Sequence, residues 1–406
     1  MRIRSITYFC NPGWPLDKKQ LRLAGDFLKD ARQSFEKAGY EVQTTRLATI
    51  PFPVLLEGKS ADTALLAVKL SEAIKDLGID YAALGPANPG DMKTYAAIPE
   101  AIQAAGNIFF SGFLTDSRAR ISLEAVQACA RVIVRCANIS PDGFANLQFA
   151  ALANVKAGGP FFPASWHEGE NPAFAIATEA ADLAVEAFQQ AETIEEGRTK
   201  LVQSLEEHAR RMAPAAELLK YKHSTKFNGI DFSLAPFPKA SRSIGSVFEL
   251  LGPRQTGWHG SLASASILTE AIDRADFPHT GFCGLMLPVL EDAVLAKRAA
   301  DGSLSVKDLL MFSAVCGTGL DTVPLPGSVS AEQLQAVLID LASLALRLDK
   351  PLTARLMPVP GKKAGEETEF DFPFFANSRV MSLDAHPLGK LMRGLERIQM
   401  NSRRVK

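Results

Sequence analysis

RIRSITYFC at residues 2–10 and EVQTTRL at residues 41–47 flank LRLAGDFLKDARQSFEKA at residues 21–38. The outer two stretches alternate in polarity and are rich in Ile, Val, Thr and Tyr, as strands are. The middle stretch has apolar residues at helical spacing and stops at Gly39, a residue suited to the left-handed turn that ends a helix. Strand, helix and strand in that order make a crossover unit with parallel strands. The alternation continues outward. Pro51 and Pro53 mark a loop, residues 60–76 form a helix ended by Gly78, and residues 79–84 form an apolar strand. Further strands are expected at 107–113, 173–177, 230–234, within 277–287 and at 353–359. Helices are expected at 123–138, 243–250, 261–274, 292–314 and 331–348. A long charged helix over 179–219 should break near Glu196-Gly197, and the basic tail from His386 should be helical. No Ser/Gly-rich or Pro-rich linker interrupts the pattern, so one large α/β domain over residues 1–406 is expected.

The chain has 406 residues, 47% of them hydrophobic and 22% charged, an ordinary globular composition. Its 44 basic and 45 acidic residues give a net charge of −1, and no basic patch stands out. Nucleic acid is therefore not an expected partner. No apolar run reaches the ~18–20 residues that cross a bilayer, and MRIRSITYFCNPGW is too short and mixed for a signal peptide. A cytoplasmic protein with no membrane partner is expected. Five widely spaced cysteines without a C-x-x-C pair read as reduced thiols.

The chemistry-bearing residues gather in GFCGLMLPVLED (residues 281–292) and VCGTGLDTVPLPG (residues 315–327). Gly281, Gly284 and Gly319 permit close backbone approach and are candidates for a substrate-binding surface. Glu291, Asp292 and Asp321 come from separate turns with no thiolate ligand pattern, a donor set suited to Mg²⁺ or Ca²⁺. The alternative is that Glu291 and Asp292 serve the start of a helix. Cys283 and Cys316 are either small buried hydrophobes or, with a basic neighbour, nucleophiles; Cys316 is kept as a catalytic candidate. His167 in PASWHEG and His259 in GWHGS lie in Gly-bounded loops beside Trp and are acid–base candidates, against a purely structural role. Arg118, in a loop after a strand, is a candidate clamp for a carboxylate or phosphate. Asp321 follows Gly319 in a pattern that recurs as Gly78-Ile-Asp80 and Gly229-Ile-Asp231. It is the fourth catalytic candidate. G-x-S-x-G, the Walker loop and H-E-x-x-H are absent. CGTGLD lacks the third glycine of a dinucleotide fingerprint and leads into a strand, so no nucleotide cofactor is expected.

SLAPFP (residues 233–238), LPVLED, CGTGLDTVPLPG and PVPGKK (residues 358–363) resemble the uncharacterised family that is domain of unknown function number seven-hundred-and-eleven. FFSGFLTDSRARIS and FANLQFAALANVKAGGPFFPASWHEG resemble its first-half loops, with Arg118, Asn154 and His167 at matching positions. The resemblance implies a ten-stranded α/β barrel, pyruvate formate-lyase-like, with helices outside. Its two half-barrels would divide near residues 1–225 and 226–406. It also implies a homodimer and makes Asn154 a substrate-binding candidate. FFANSRVMSLD, at residues 374–384, has no glycine where glycyl-radical enzymes carry the radical, so that chemistry is not expected. The functional expectation is an enzyme of unassigned reaction. It would do acid–base chemistry on a small polar or anionic ligand at the barrel mouth, with or without a divalent metal. The alternative is a non-catalytic small-molecule sensor or scaffold on the same barrel.

Overall fold

The computed structural model describes residues 1–169 and 171–403. The first half runs β1 (Arg2–Cys10), α1 (Lys18–Lys37), β2 (Val42–Pro51), α2 (Phe52–Leu55), α3 (Thr63–Asp76), β3 (Tyr81–Gly85), α4 (Met92–Ala104), β4 (Ile108–Phe113), β5 (Arg120–Ser122), α5 (Leu123–Ala137) and β6 (Phe149–Ala153). Then come β7 (Ala173–Glu179), α6 (Ala181–Gln189), α7 (Ile194–His223), β8 (Lys226–Ala235), α8 (Ile244–Leu250), α9 (Ser261–Arg274), α10 (Ala293–Asp301) and α11 (Val306–Phe312). The chain continues through β9 (Gly319–Pro326), α12 (Ala331–Leu348), β10 (Leu352–Val359) and β11 (Arg397–Gln399).

Nine strands form one sheet in the order β8-β7-β1-β2-β3-β4-β6-β10-β9. β1, β2, β3, β4 and β6 run parallel to one another. Direction reverses where β7 meets β1 and where β10 meets β6. The reversal therefore falls between Ala153 and Ala173. Residues 285–289 lie between the two outermost strands. Met286 N donates to Ser233 O of β8 (3.0 Å), and Val289 N donates to Asp321 O of β9 (3.1 Å). Apart from one bridge, Pro288 to Asp321, this segment does not extend into a ladder. Pro288 has no N–H to give. The fold is thus a mixed α/β structure on a nine-stranded sheet.

Each strand divides its residues between two faces. Ile3, Ile6, Tyr8 and Cys10 of β1 pack into the main core with the helices, among them Leu21, Phe27 and Phe35 of α1. Asp17 starts that helix by accepting from Lys19 N (2.8 Å). Phe9, Ala48, Ala83, Phe109 and Ala175 point the other way and form clusters without α-helical residues. Into this helix-free face folds the connection between β6 and β7. Phe162 packs on Phe9, Ala48, Ala83 and Phe109; Phe161 packs on Ala177, Ala235 and Met286; Ala164 packs on Ala150 and Leu152. Thr7 Oγ1 donates to Pro160 O (3.0 Å) and His167 N to Thr49 O (2.9 Å), which pins the connection at both ends. It fills one end of the helix-free face as a plug.

Three expectations differ. Residues 292–314 are two helices, because Gly302 takes a left-handed conformation (φ 80°) between α10 and α11. The long charged helix breaks at residues 190–193 instead of at Gly197, which sits inside α7. A Cβ on Gly197 would lie 2.5 Å from Phe188 Cδ1, so this glycine is there for packing between α6 and α7. The tail from His386 makes one short turn and then β11, which pairs antiparallel with β5; residues 404–406 lie outside the described residues.

Candidate active site

On the helix-free face, against the plug and partly walled by it, lies a cavity of about 170 Å³. Its walls carry Arg4 of β1, Arg46 of β2, Arg355 of β10, Glu291 and Asp321. Apolar walls come from Phe109, Phe144, Leu147, Phe161, Phe162, Met286, Phe372 and Phe374. Strand alternation turns Arg46 and Arg355 to the same face as Ala48 and Met357, and Arg4 reaches the cavity at the register shift between Ile3 and Ser5.

Glu291 is shared by two arginines. Its Oε1 accepts from Arg355 Nη2 (2.9 Å), and its Oε2 accepts from Arg4 Nη2. Arg355 Nε donates in turn to Asp321 Oδ1 (2.6 Å). Asp321 Oδ2 has no protein partner among the described residues and belongs to a side chain lining the cavity. The two carboxyl groups are pushed in opposite directions. Burial raises the pKa of Asp321, against the opposing pull of Arg355, and the Glu291 charge raises it further. Glu291 suffers the same burial, but the charges of Arg4 and Arg355 together hold it below the usual carboxylate range. Two carboxyl groups driven apart in this way are a signature of acid–base sites.

Arg46 has no carboxylate partner among the described residues. Its Nε donates to Thr44 Oγ1 (2.9 Å), and its guanidinium lies 5.0 Å from the centre of the Phe162 ring. Burial pushes its pKa down to about 9, helped by the neighbouring positive charges of Arg4 and Arg355. It is still a cation at neutral pH, and the Glu291 charge acts on it only from a distance, without a direct ion pair among the described residues.

Of the residues singled out from sequence, Asp321 and Glu291 meet at this cavity. Asp292, next in the chain, does not. Its Oδ1 accepts from Ser243 Oγ (2.5 Å), Val294 N (2.9 Å) and Leu295 N (3.0 Å), and its Oδ2 accepts from Ile244 N (2.6 Å). It caps the starts of α8 and α10 at once. The Mg²⁺ or Ca²⁺ set of Glu291, Asp292 and Asp321 is therefore corrected. One member is spent on backbone amides, and the other two face guanidinium groups instead of a shared cation position. Among the described residues no group of three or more His, Cys, Asp or Glu side chains is placed to hold a metal ion.

His167 is buried in the plug, where its Nε2 has no hydrogen-bond partner among the described residues and burial lowers its pKa. It does not line the cavity, and neither does His259, which is exposed on the loop before α9. Arg118 is exposed on the loop before β5, where its O accepts from Gln399 Nε2 (3.1 Å). Asn154 and Gly281 line a separate cavity of about 220 Å³, with Asn154 Nδ2 donating to Asp349 Oδ1 (3.2 Å). Cys283, Gly284 and Cys316 line a further one; burial raises the Cys316 thiol to about 11 and the Cys283 thiol higher still. A thiol so shifted carries almost no thiolate at neutral pH. Gly319 (φ 98°) serves the sheet: a Cβ there would meet Thr353 O at 2.2 Å.

The three arginines escaped the sequence reading. Their signal is plain in retrospect. Arg4, Arg46 and Arg355 each interrupt a strand of otherwise strand-forming residues, in RIRSITYFC, EVQTTRL and TARLMPV. A charge inside a strand that is buried on both faces is rare without a partner or a role.

Fold and cavity together define an α/β protein with a charged cavity on the helix-free face of its sheet. The chain belongs to the DUF711 family, whose model, described as Uncharacterised ACR (DUF711), matches residues 1–377. It is similar to a UPF0210 protein of Pyrobaculum aerophilum, 31% identical over 84% of this chain and 79% of the relative. A UPF0210 protein of Pyrobaculum arsenaticum is 30% identical over 83% of this chain and 78% of its own. One from Halothermothrix orenii is 28% identical, covering 87% and 82%. Among the described residues no helix is long and apolar enough to cross a membrane.

Proposed function

We propose that this protein is an enzyme that binds a small organic anion at Arg46 and moves a proton on it with Asp321. The observation that carries the reading is the unequal charge in one cavity. Arg4 and Arg355 are ion-paired with Glu291 and Asp321, while Arg46 faces the same space with no ion-pair partner among the described residues. An anion supplies the missing charge in a site where water is scarce and ion pairing is strong. Asp321 is the acid–base residue, because its raised pKa brings it toward the range where a carboxyl can both give and take a proton. Glu291 stays ionised and holds Arg4 and Arg355 in position. On this reading residues 285–289 act as a tenth strand that closes the sheet between β8 and β9, so the helix-free face is a barrel interior.

The test is a metabolite screen by thermal shift, followed by NMR of the bound mixture. Anions that stabilise the wild type should lose that effect in Arg46→Gln. One of them should be consumed by the wild type and not by Asp321→Asn. Binding without consumption of any anion would leave a sensor in place of an enzyme. Stabilisation independent of Arg46 would overturn the site itself.

A further inference from the structure

We infer, resting on that reading, that the anion is a monocarboxylate with a planar apolar body, such as an aromatic acid. The charge comes first. Of the three guanidinium groups on the cavity wall, two are answered by Glu291 and Asp321, so a single positive charge is left for the ligand. A phosphate or a dicarboxylate would bring a second negative charge into walls that are largely hydrocarbon, with nothing to pair it. Phosphate sites gather several donors, commonly the amides at a helix start. Here the anion meets one side chain with a planar, two-pronged face, which matches a carboxylate.

The apolar part follows from what surrounds that guanidinium. Arg46 lies over Phe162, and Phe162 meets Phe109 edge-on with ring centres 5.5 Å apart. Phe109 meets Tyr81 in the same way at 5.5 Å, and Tyr81 stands beside Arg46 in the β2–β3 register. The cation is thus set in a belt of rings that returns to its own neighbour. Any group attached to a carboxylate held there lies against hydrocarbon. Across the cavity Phe144 and Phe372 pack at 5.1 Å, and Phe374 completes that side. A flat body between the two aromatic groups buries both faces. With its carboxylate on Arg46, it leaves its remaining edge free to present a proton to Asp321 Oδ2.

Calorimetry on the full chain at neutral pH, with benzoate, phenylacetate, acetate and inorganic phosphate as the probes, tests this directly. The two aromatic acids should bind at least tenfold tighter than acetate or phosphate. Arg46→Gln should weaken the aromatic acids tenfold or more, and Phe109→Leu should narrow their advantage over acetate while leaving acetate unchanged. Acetate or phosphate binding as tightly as benzoate, and through Arg46, would overturn the aromatic acid and leave the anion site standing. If none of the four binds in an Arg46-dependent way, both ideas fall. Should Arg46→Gln not fold, the ranking of the four probes on the wild type decides the ligand class alone.

Discussion

Asp231 and Glu291 are both buried carboxylates facing the helix-free side of the sheet, one beside the plug and one in the cavity. They meet different partners. Asp231 accepts only from neutral groups: Ser233 Oγ (2.5 Å), Ser233 N (3.1 Å), Phe282 N (2.8 Å) and Cys283 N (3.0 Å). Burial outweighs these bonds and its pKa is pushed up to about 6. Glu291 is as deep, yet two guanidinium charges hold it low. Four dipoles do not do in a dry interior what two full charges do. The plugged end can therefore take a proton near neutrality as part of its architecture. At the cavity end Glu291 is ionised and kept so.

The sharpest way to break this contrast is Arg355→Ala. It strips Asp321 of its ion pair with Arg355 and Glu291 of one of its two, and it should cost about 3–5 kcal/mol at neutral pH, read from urea unfolding. A loss below ~1 kcal/mol would mean that the cavity carboxyl groups are not held by charge. Next comes Phe162→Ala, which empties the centre of the plug. It should cost about 3 kcal/mol, mostly from the space left behind, with the contact to the Arg46 guanidinium lost as well.

The third prediction concerns Asp231. Its native pKa is raised to about 6, so the folded state binds more protons than the unfolded state between about pH 4 and 6. Stability from this group is fully present below pH ~4 and is lost as pH rises through ~6, by up to about 3 kcal/mol. Glu291 works in the opposite sense, adding stability above its ordinary carboxylate range that disappears as pH falls through its lowered native value. Asp231→Asn should flatten the decline between pH 4.5 and 7 in urea midpoints. An unchanged slope would mean that Asp231 ionises freely in the fold. The smallest effect is expected for Arg46→Gln without ligand. Removing a cation pressed by two others should shift stability by no more than about 1 kcal/mol, even though it abolishes anion binding.

The crossover pattern at residues 2–47 was legible because parallel strands and their helices each carry their own period. Helix α9 falls on residues 261–274 as its apolar spacing indicates. The pairings that make the sheet were not legible. β7 lies against β1 and β10 against β6, and nothing local in YFC or ARLMPV names a partner from the other end of the chain. The segment around Pro288 looked like a strand from its apolar run, but register needs donors that proline lacks. Within the site, Asp321 and Glu291 were found through the tight turns around them. Asp292 was mistaken for their companion because adjacency in sequence says nothing about side-chain direction. His167 and His259 were favoured for their loops, whereas burial in the plug and full exposure decide their surroundings. The arginines carry no turn signal, because this cavity is walled by strand interiors.

The plug has a consequence in time. While the chain is being made, β1, β2, β3, β4 and β6 emerge in an order that lets each join its predecessor. Their shared face, with Phe9, Ala48, Ala83 and Phe109, has no cover until Phe161 and Phe162 follow. β6 then waits for Leu352–Val359, almost the whole remaining length, before its other edge is paired. A nascent chain halted between those two points would carry an open, flat edge, the state most prone to wrong partners. Closing so distant a pair is also slow, since the loop entropy is spent before any contact repays it. Synthesis rate and chaperone supply, more than final stability, should set how much of this protein a cell recovers.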